Sequence, residues 1–281
     1  MYLKSFIDAY ISNGFDFQEA KTEIDFVLEV LFNYSYKDFL LNKQLTIEQI
    51  KKVQKIIDER VKTNKPLQQI LGTAFFYGRR FFVNEYTLIP RPETELLVQE
   101  VINITKELGS PKIIDIGTGT GCIGLTLMLE NPKINANLSD IQQEAIETAK
   151  KNALYHNILS GVKFIKSDLF ENITDKYDVI VSNPPYIPLK DKNTLQIEVR
   201  EYDSPVALFT KDDEGIEFYE KIIRQAQFYL NKQGFIAFEL GINQADTVKK
   251  LLKKNNFYNI KIIKDFNSVE RVITAKIKPS Q

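Results

Sequence analysis

Cysteine and histidine are almost missing from this 281-residue chain, and tryptophan is absent. The single cysteine, Cys122, excludes an intramolecular disulfide and any cysteine-based metal cluster. The single histidine, His156, is the one imidazole on which a Ser/His/Asp or Cys/His arrangement could be built, and nothing near it resembles a nucleophile elbow. No metal site is expected. Long apolar runs are missing too: no stretch approaches the ~20 residues needed to span a bilayer. The opening Met1 to Asp8 carries a charge and lacks the apolar run of a signal peptide. Net charge is also lacking, because 37 Lys and Arg balance 37 Asp and Glu, which leaves no global positive field for non-specific nucleic-acid binding. The expectation is a cytoplasmic soluble protein with no membrane and no direct nucleic-acid partner.

What is present supports two domains, since the chain exceeds the usual single-domain length and is 43% hydrophobic. Apolar residues recur at helical spacing up to about residue 63, as in Leu3, Phe6, Ile7, Tyr10 and Ile11, and again in Ile50, Val53, Ile56, Ile57 and Val61. Three or four short amphipathic helices follow, the last opened by a capping box from Thr46 to Gln49. Phe75-Phe76-Tyr77 and Phe81-Phe82-Val83 flank Gly78-Arg79-Arg80, the pattern of a β-hairpin. The expected division is therefore a helical domain over 1–72, a hairpin linker over 73–92 and a larger domain over 93–281.

That larger domain alternates strand and helix patterns. Strands are expected near 112–116, 134–139, 162–166, 177–182 and 233–239, with helices near 93–108, 122–130, 141–155, 216–231 and 244–254. Such alternation predicts an α/β fold with a parallel sheet covered on both faces. Two final strands, at 260–263 and 269–275, are too close in sequence for a crossover helix and should pair antiparallel. Between Tyr186 and about Gly215 there is little periodicity, as in a long functional loop.

Ligands of these sheets bind beyond the carboxyl ends of the strands. Gly117-Thr118-Gly119-Thr120-Gly121 follows the first strand and reads as a tight turn into a helix. Gly119 to Gly124 also matches the dinucleotide fingerprint, so the glycines alone do not choose a ligand. Asp115 does, because a carboxylate two residues before the turn repels a pyrophosphate and suits a cationic ligand such as S-adenosylmethionine. Asp140, ending the second strand, can accept from ribose hydroxyls or open a capping box with Gln143. After the third strand, Asp168 can accept from an adenine amino group while Leu169 packs on the ring, or it can be a solvated loop acid.

Asn183-Pro184-Pro185-Tyr186 ends the fourth strand. Each proline fixes its own φ and drives the preceding residue extended, so Asn183 is aimed by a stiff backbone. Its carboxamide, with the Pro184 carbonyl, can hold both hydrogens of a substrate NH2, and Tyr186 can supply a flat wall. A plain proline-rich turn is the alternative.

Together, Asp115 to Gly121, Asp140, Asp168 and Asn183 to Tyr186 resemble an S-adenosylmethionine-dependent methyltransferase acting on an amino or amide nitrogen. With Ile89-Pro90-Arg91-Pro92-Glu93-Thr94-Glu95 and Phe238-Glu239-Leu240-Gly241, the whole chain is similar to the protein-(glutamine-N5) methyltransferases that modify peptide chain release factors. The resemblance implies a Rossmann-like, seven-stranded methyltransferase domain with a small N-terminal α-helical domain for substrate recognition. It implies that Asp115, Gly117, Thr118, Gly119, Gly121, Asp140, Asp168, Leu169 and Asn183 bind S-adenosylmethionine. Asn183, Pro184 and Tyr186 would carry catalysis, with Arg91, Glu93, Asn183, Pro184, Pro185 and Tyr186 contacting the substrate. That substrate would be the glutamine of the Gly-Gly-Gln loop of class I release factors; a ribosomal-protein glutamine or adenine N6 in DNA are the alternatives, and a non-enzymatic cofactor-binding scaffold is a third. Two stretches depart from the family pattern: Asp203-Ser204 in place of Glu-Pro, and Asp265 to Ser268 without the usual glycine.

Overall fold

The computed structural model describes residues 2–35, 37–38 and 43–279. It separates into two compact units, one of Met1–Thr73 with Gln196–Tyr202 and one of Ala74–Leu195 with Asp203–Gln281.

The first unit holds helices α1 (Tyr2–Ile11), α2 (Phe17–Phe32), α3 (Ile47–Thr63) and α4 (Leu67–Leu71). Asp16 caps α2 by accepting from the backbone N–H of Gln18 and Glu19, and the Thr46–Gln49 capping box opens α3 as its spacing predicts. Phe6, Tyr10, Ile24, Val27, Leu28, Val53 and Ile57 from α1, α2 and α3 form one core. At its edge the Arg60 side chain is 3% exposed and meets three carboxylates, Glu23 at 2.9 Å, Glu198 at 3.2 Å and Glu19 at 3.6 Å. Glu198 belongs to residues 196–202, so a piece of the segment after Tyr186 is bound into this helical unit. Replacing Arg60 with alanine leaves those carboxylates uncompensated and is expected to destabilise the unit by about 2 kcal/mol, less than for a fully buried pair because the acids are partly solvated. Urea unfolding followed by circular dichroism checks this, and an unchanged midpoint would assign the cluster no net stabilisation.

In the second unit β1 (Thr73–Phe76) and β2 (Arg79–Phe82) pair as a two-stranded sheet, and α5 (Thr94–Thr105) follows. Glu95 does more than complement the dipole of α5: its Oε1 accepts the backbone N–H of Tyr77, at 2.7 Å, where the hairpin turns through a positive φ. Then come β3 (Lys112–Ile116), α6 (Cys122–Glu130), β4 (Asn135–Asp140), α7 (Gln143–Tyr155), β5 (Val162–Lys166), β6 (Tyr177–Ser182) and β7 (Ile187–Pro188). The rest is α8 (Ile197–Tyr202, in the first unit), α9 (Pro205–Leu208), β8 (Phe209–Thr210), α10 (Glu217–Tyr229), β9 (Leu230–Glu239), α11 (Ala245–Lys254), β10 (Phe257–Lys264) and β11 (Glu270–Ile277).

Seven strands form one sheet in the order β10-β11-β9-β6-β3-β4-β5. β9, β6, β3, β4 and β5 run parallel, while β11 pairs antiparallel with both β9 and β10. Alternation along the strands feeds two cores. Ile114, Ile116, Ile180, Ile236 and Phe238 pack with Tyr219, Ile222, Ile223 and Ala226 of α10 and Val248 and Leu252 of α11. On the other face Ile113, Ala136, Val179, Val181 and Ala237 pack with Leu97, Val98 and Val101 of α5, Ile123, Leu125, Leu127 and Met128 of α6 and Ala149 and Ala153 of α7. This is the Rossmann-like α/β architecture, and its strand order reverses at β3, whose neighbours are β4 on one side and β6 on the other.

The segment from Tyr186 to Gly215 departs from the expectation of an irregular loop. It carries a 3₁₀ turn at Leu189–Thr194, the short helices α8 and α9, and a parallel pairing of Ile187 with Phe209 and Pro188 with Thr210. Elements this short span too few turns to leave a periodic signal.

Candidate active site

The reversal at β3 opens a cavity within the second unit, beyond the carboxyl ends of β3, β4, β5 and β6. The first wall is the turn after β3. Gly117 and Gly119 have φ of +70° and +52°, and a Cβ on either would touch nothing within 4 Å. Both line the cavity, so bare backbone faces open space there. Gly121 and Gly124 serve packing instead: a Cβ on Gly121 would lie 3.2 Å from Leu138 of β4 and one on Gly124 would lie 3.1 Å from the same side chain, so their bareness lets α6 close on the sheet.

Asp140 forms the second wall and ties two segments together. Its Oδ2 accepts the Gly119 N–H at 2.9 Å and its Oδ1 the Gln142 N–H at 2.9 Å. The capping box with Gln143 does not form, because Gln143 turns to Glu147. Burial raises the Asp140 carboxyl against these N–H groups, which lower it. Beyond it, Ile141 is 47% exposed and Leu169 is held at a φ of +49°, unusual for a branched side chain. Ser167 donates to the Leu169 carbonyl at 3.0 Å, and both line the cavity with exposed Asp168 beside them.

The third wall is Asn183-Pro184-Pro185, with Arg91 and Thr94 opposite. Arg91 is held in an ion pair with Asp203, at 2.5 Å, so the Asp203-Ser204 departure from the family pattern retains a partner for this arginine. Thr94 is 3% exposed and donates to Glu239 Oε2 at 2.6 Å, and Asn183 Nδ2 donates to Thr94 Oγ1 at 3.3 Å. A hydroxyl has one proton. With that proton on the carboxylate, Thr94 offers Asn183 only lone pairs, so the amide must turn its NH2 to Thr94 and present Oδ1 elsewhere.

Four residues expected at the site lie outside the cavity lining: Gly121, which packs α6 as described, and Tyr186, Glu93 and Asp115. Tyr186 does not line the cavity; its ring packs against Gly241, its hydroxyl reaches toward Glu239 Oε1 at 3.5 Å, and its carbonyl accepts from Gln244 at 2.9 Å. It braces the turn instead of forming a wall. Glu93 is exposed and outside the cavity lining, at the head of α5. Asp115 is fully buried beneath the glycine turn and does not line the cavity. Its Oδ2 accepts from the Thr118 hydroxyl at 2.6 Å and the Gly124 N–H at 3.1 Å, and its Oδ1 has no partner. It holds the turn from below, so direct pairing with a cationic ligand is not its placed role.

A family model described as the methyltransferase small domain matches residues 92–200. A release factor glutamine methyltransferase of Fusobacterium nucleatum is 38% identical, over 94% of this chain and 75% of its own length. Another, of Flavobacterium psychrophilum, is 34% identical over 99% of this chain and 98% of its own. The chain belongs to the release factor glutamine methyltransferase family. The solved structure of a methyltransferase from Pyrococcus furiosus, 17% identical, covers 81% of this chain and 98% of that one with a TM-score of 0.50, which shows the shared fold.

Within this methyltransferase, Thr94, Gln142, Val206 and Phe218 line the cavity without having been singled out by sequence, and Glu239 stands behind Thr94. Burial pushes the Asp115 carboxyl up from 3.8 to about 6, against the lowering bonds from Thr118 and Gly124 and with the Asp140 charge adding to the rise. Between those two values the folded protein holds a proton that the unfolded chain has lost. The group's contribution therefore falls as pH rises through that window, and its penalty is complete above about 6. Asp115→Asn keeps the acceptor for Thr118 and Gly124 and removes the charge. Its stability relative to wild type is expected to improve from about pH 4 to about pH 7 by an amount on the order of 2 kcal/mol. Urea midpoints at the two pH values check this, and a pH-independent difference would refute the buried charge.

Proposed function

We propose that this protein transfers a methyl group from S-adenosylmethionine to the side-chain amide nitrogen of the glutamine in the Gly-Gly-Gln loop of class I peptide chain release factors. The observation that carries the reading is Asn183 at the topological switch point, anchored through its NH2 to Thr94 so that Oδ1 is presented as an acceptor beside the glycine turn. The residues present fit the cofactor: Gly117 and Gly119 offer backbone with open space above it, Asp140 offers carboxylate lone pairs for hydroxyls, and Ile141 and Leu169 offer apolar faces for a base beside Asp168. When bound, S-adenosylmethionine supplies an electrophilic methyl on a cationic sulfur.

The protein's own task is set by the nucleophile. An amide nitrogen is weakly nucleophilic because its lone pair is delocalised into the carbonyl. Asn183 Oδ1 and the Pro184 carbonyl accept the two N–H bonds, which fixes the direction of the lone pair and stabilises positive charge growing on nitrogen. Arg91, held by Asp203 and lining the same cavity, is the inferred contact for the substrate's carbonyl oxygen. The proton leaves to water, since His156, the single histidine, does not line the cavity. The helical unit, which also holds residues 196–202, is the inferred recognition domain for the release factor. Ribosome-associated substrates put the reaction in the cytoplasm; among the described residues no helix is long and apolar enough to cross a membrane.

Purified class I release factor incubated with the protein and S-adenosylmethionine, then fragmented for mass spectrometry, tests this. One methyl on the Gly-Gly-Gln glutamine is expected. An unmodified release factor, with cofactor binding demonstrated in the same sample, would overturn it and direct the assay to ribosomal-protein glutamine and then adenine in DNA.

A further inference from the structure

Three residues distant in sequence form one hydrogen-bonded line into the cavity. Glu239 ends β9, Thr94 begins α5, and Asn183 follows β6. Thr94 and Glu239 are 3% and 2% exposed, and their contact of 2.6 Å is short. We propose that Glu239 is a positioning residue which, through the Thr94 hydroxyl, decides which end of the Asn183 carboxamide faces the substrate. The proposal rests on the glutamine-methylation reading and names the residues that set its geometry.

With Glu239 ionised, the Thr94 proton goes to Oε2, Asn183 gives its NH2 to Thr94, and Oδ1 faces the cavity. With Glu239 protonated on Oε2, that proton points at Thr94 Oγ1. The Thr94 hydroxyl then donates toward Asn183, which turns its carboxamide to accept with Oδ1. NH2 now faces the cavity and repels the N–H bonds that have to be held. One proton enters from solvent, and the heavy-atom movement is the exchange of Oδ1 and Nδ2 as the Asn183 carboxamide turns over.

The surroundings hold Glu239 near the point of reversal. Burial pushes its carboxyl up to about 7, opposed by the Thr94 bond and the Arg271 guanidinium on β11, with Glu93 raising it and the Tyr186 hydroxyl lowering it. Tyr219 on α10 donates to the Glu239 carbonyl at 2.9 Å, and Cys122 on α6 feels the same charge.

The test is the single-turnover rate of methyl transfer against pH at saturating S-adenosylmethionine, for wild type, Thr94→Val and Thr94→Ser, with S-adenosylhomocysteine affinity measured by calorimetry. Wild type is expected to lose rate on the acidic side with the uptake of one proton. Thr94→Val should be slower by about tenfold to a hundredfold at alkaline pH, with that acidic loss removed and affinity within about twofold. Thr94→Ser should restore both the rate and the acidic loss. A readout free of substrate is the side-chain amide NMR signal of Asn183, identified by its disappearance in Asn183→Ala, which should move with pH in wild type and stand still in Thr94→Val. Thr94→Val with wild-type rate and acidic loss, or an Asn183 signal indifferent to pH, would overturn the proposal. A signal that titrates in a protein that leaves release factors unmethylated would sink the functional reading and leave the positioning role standing.

Discussion

Asn183→Ala is expected to lose methyl transfer by a factor of about 10² to 10³ while cofactor affinity stays within a few-fold. The two effects separate because the cofactor-facing surfaces and the nucleophile-facing amide are different parts of the cavity. Glycine backbone, Asp140, Ile141 and Leu169 remain when the carboxamide is removed. What disappears is one preorganised acceptor aimed at an N–H bond, and with it the fixed direction of the attacking lone pair. Alanine also keeps the extended backbone that Pro184 imposes, so the turn itself is retained. Its one lost bond, to Thr94 at 3.3 Å, is long and contributes little to folding. Rate and affinity should be measured on the same preparation, by single turnover and calorimetry. Parallel losses in both would make Asn183 a cofactor ligand and remove it from the proposed chemistry.

The strands β3 and β6 fall on the residues expected from the apolar runs, because a strand buried on both faces is a short β-branched block between turn residues, while β5, a half-buried edge strand, falls on 162–166 through Val162, Phe164 and Ile165. The glycine turn, Asp140, Asp168-Leu169 and Asn183-Pro184-Pro185 were legible for a related reason: each follows a recognisable strand, and parallel strands deliver their C-terminal ends to one edge. Side-chain direction was not legible. Asp115 and Tyr186 sit where the motif puts them, yet one carboxylate drops beneath the turn and one ring swings toward Gly241. Alternation predicts the face of a strand residue, but Tyr186 lies past the strand and Asp115 has a hydroxyl and an N–H waiting on the inner side. The Glu239–Thr94 contact joins residues 145 apart, through a sheet order that only folding supplies.

Gly215→Ala, far in sequence from the motif, is expected to damage it nearly as much. Gly215 has a φ of +72°, and a Cβ there would fall 2.1 Å from the Tyr186 carbonyl oxygen and 2.5 Å from Gln244 Nε2. The first of these is backbone and has no rotamer to yield. Gln244, 8% exposed, is the staple of this region: the two protons of Nε2 are shared among the carbonyls of Tyr186, Glu214 and Gly215 at 2.9, 3.0 and 3.1 Å, while Oε1 accepts the Gly241 N–H at 3.0 Å. One side chain therefore joins the chain after β6, before α10 and after β9. A methyl group at residue 215 forces Tyr186 and Gln244 apart, breaking that staple and shifting the stiff turn three residues upstream, where Asn183 sits. Lost buried hydrogen bonds and the strained φ together should cost about 3 kcal/mol, lowering Tm by roughly 5 to 10 °C. Displacement of the acceptor by about 1 Å should reduce turnover about a hundredfold at temperatures where the variant is still folded. Gly109→Ala is the control, because nothing lies within 4 Å of its would-be Cβ, and it should match wild type in both Tm and rate. If Gly215→Ala also matched wild type, the Tyr186 carbonyl would not be fixed by this contact, and the rigidity assigned to the Asn183 turn would have to come from its prolines alone.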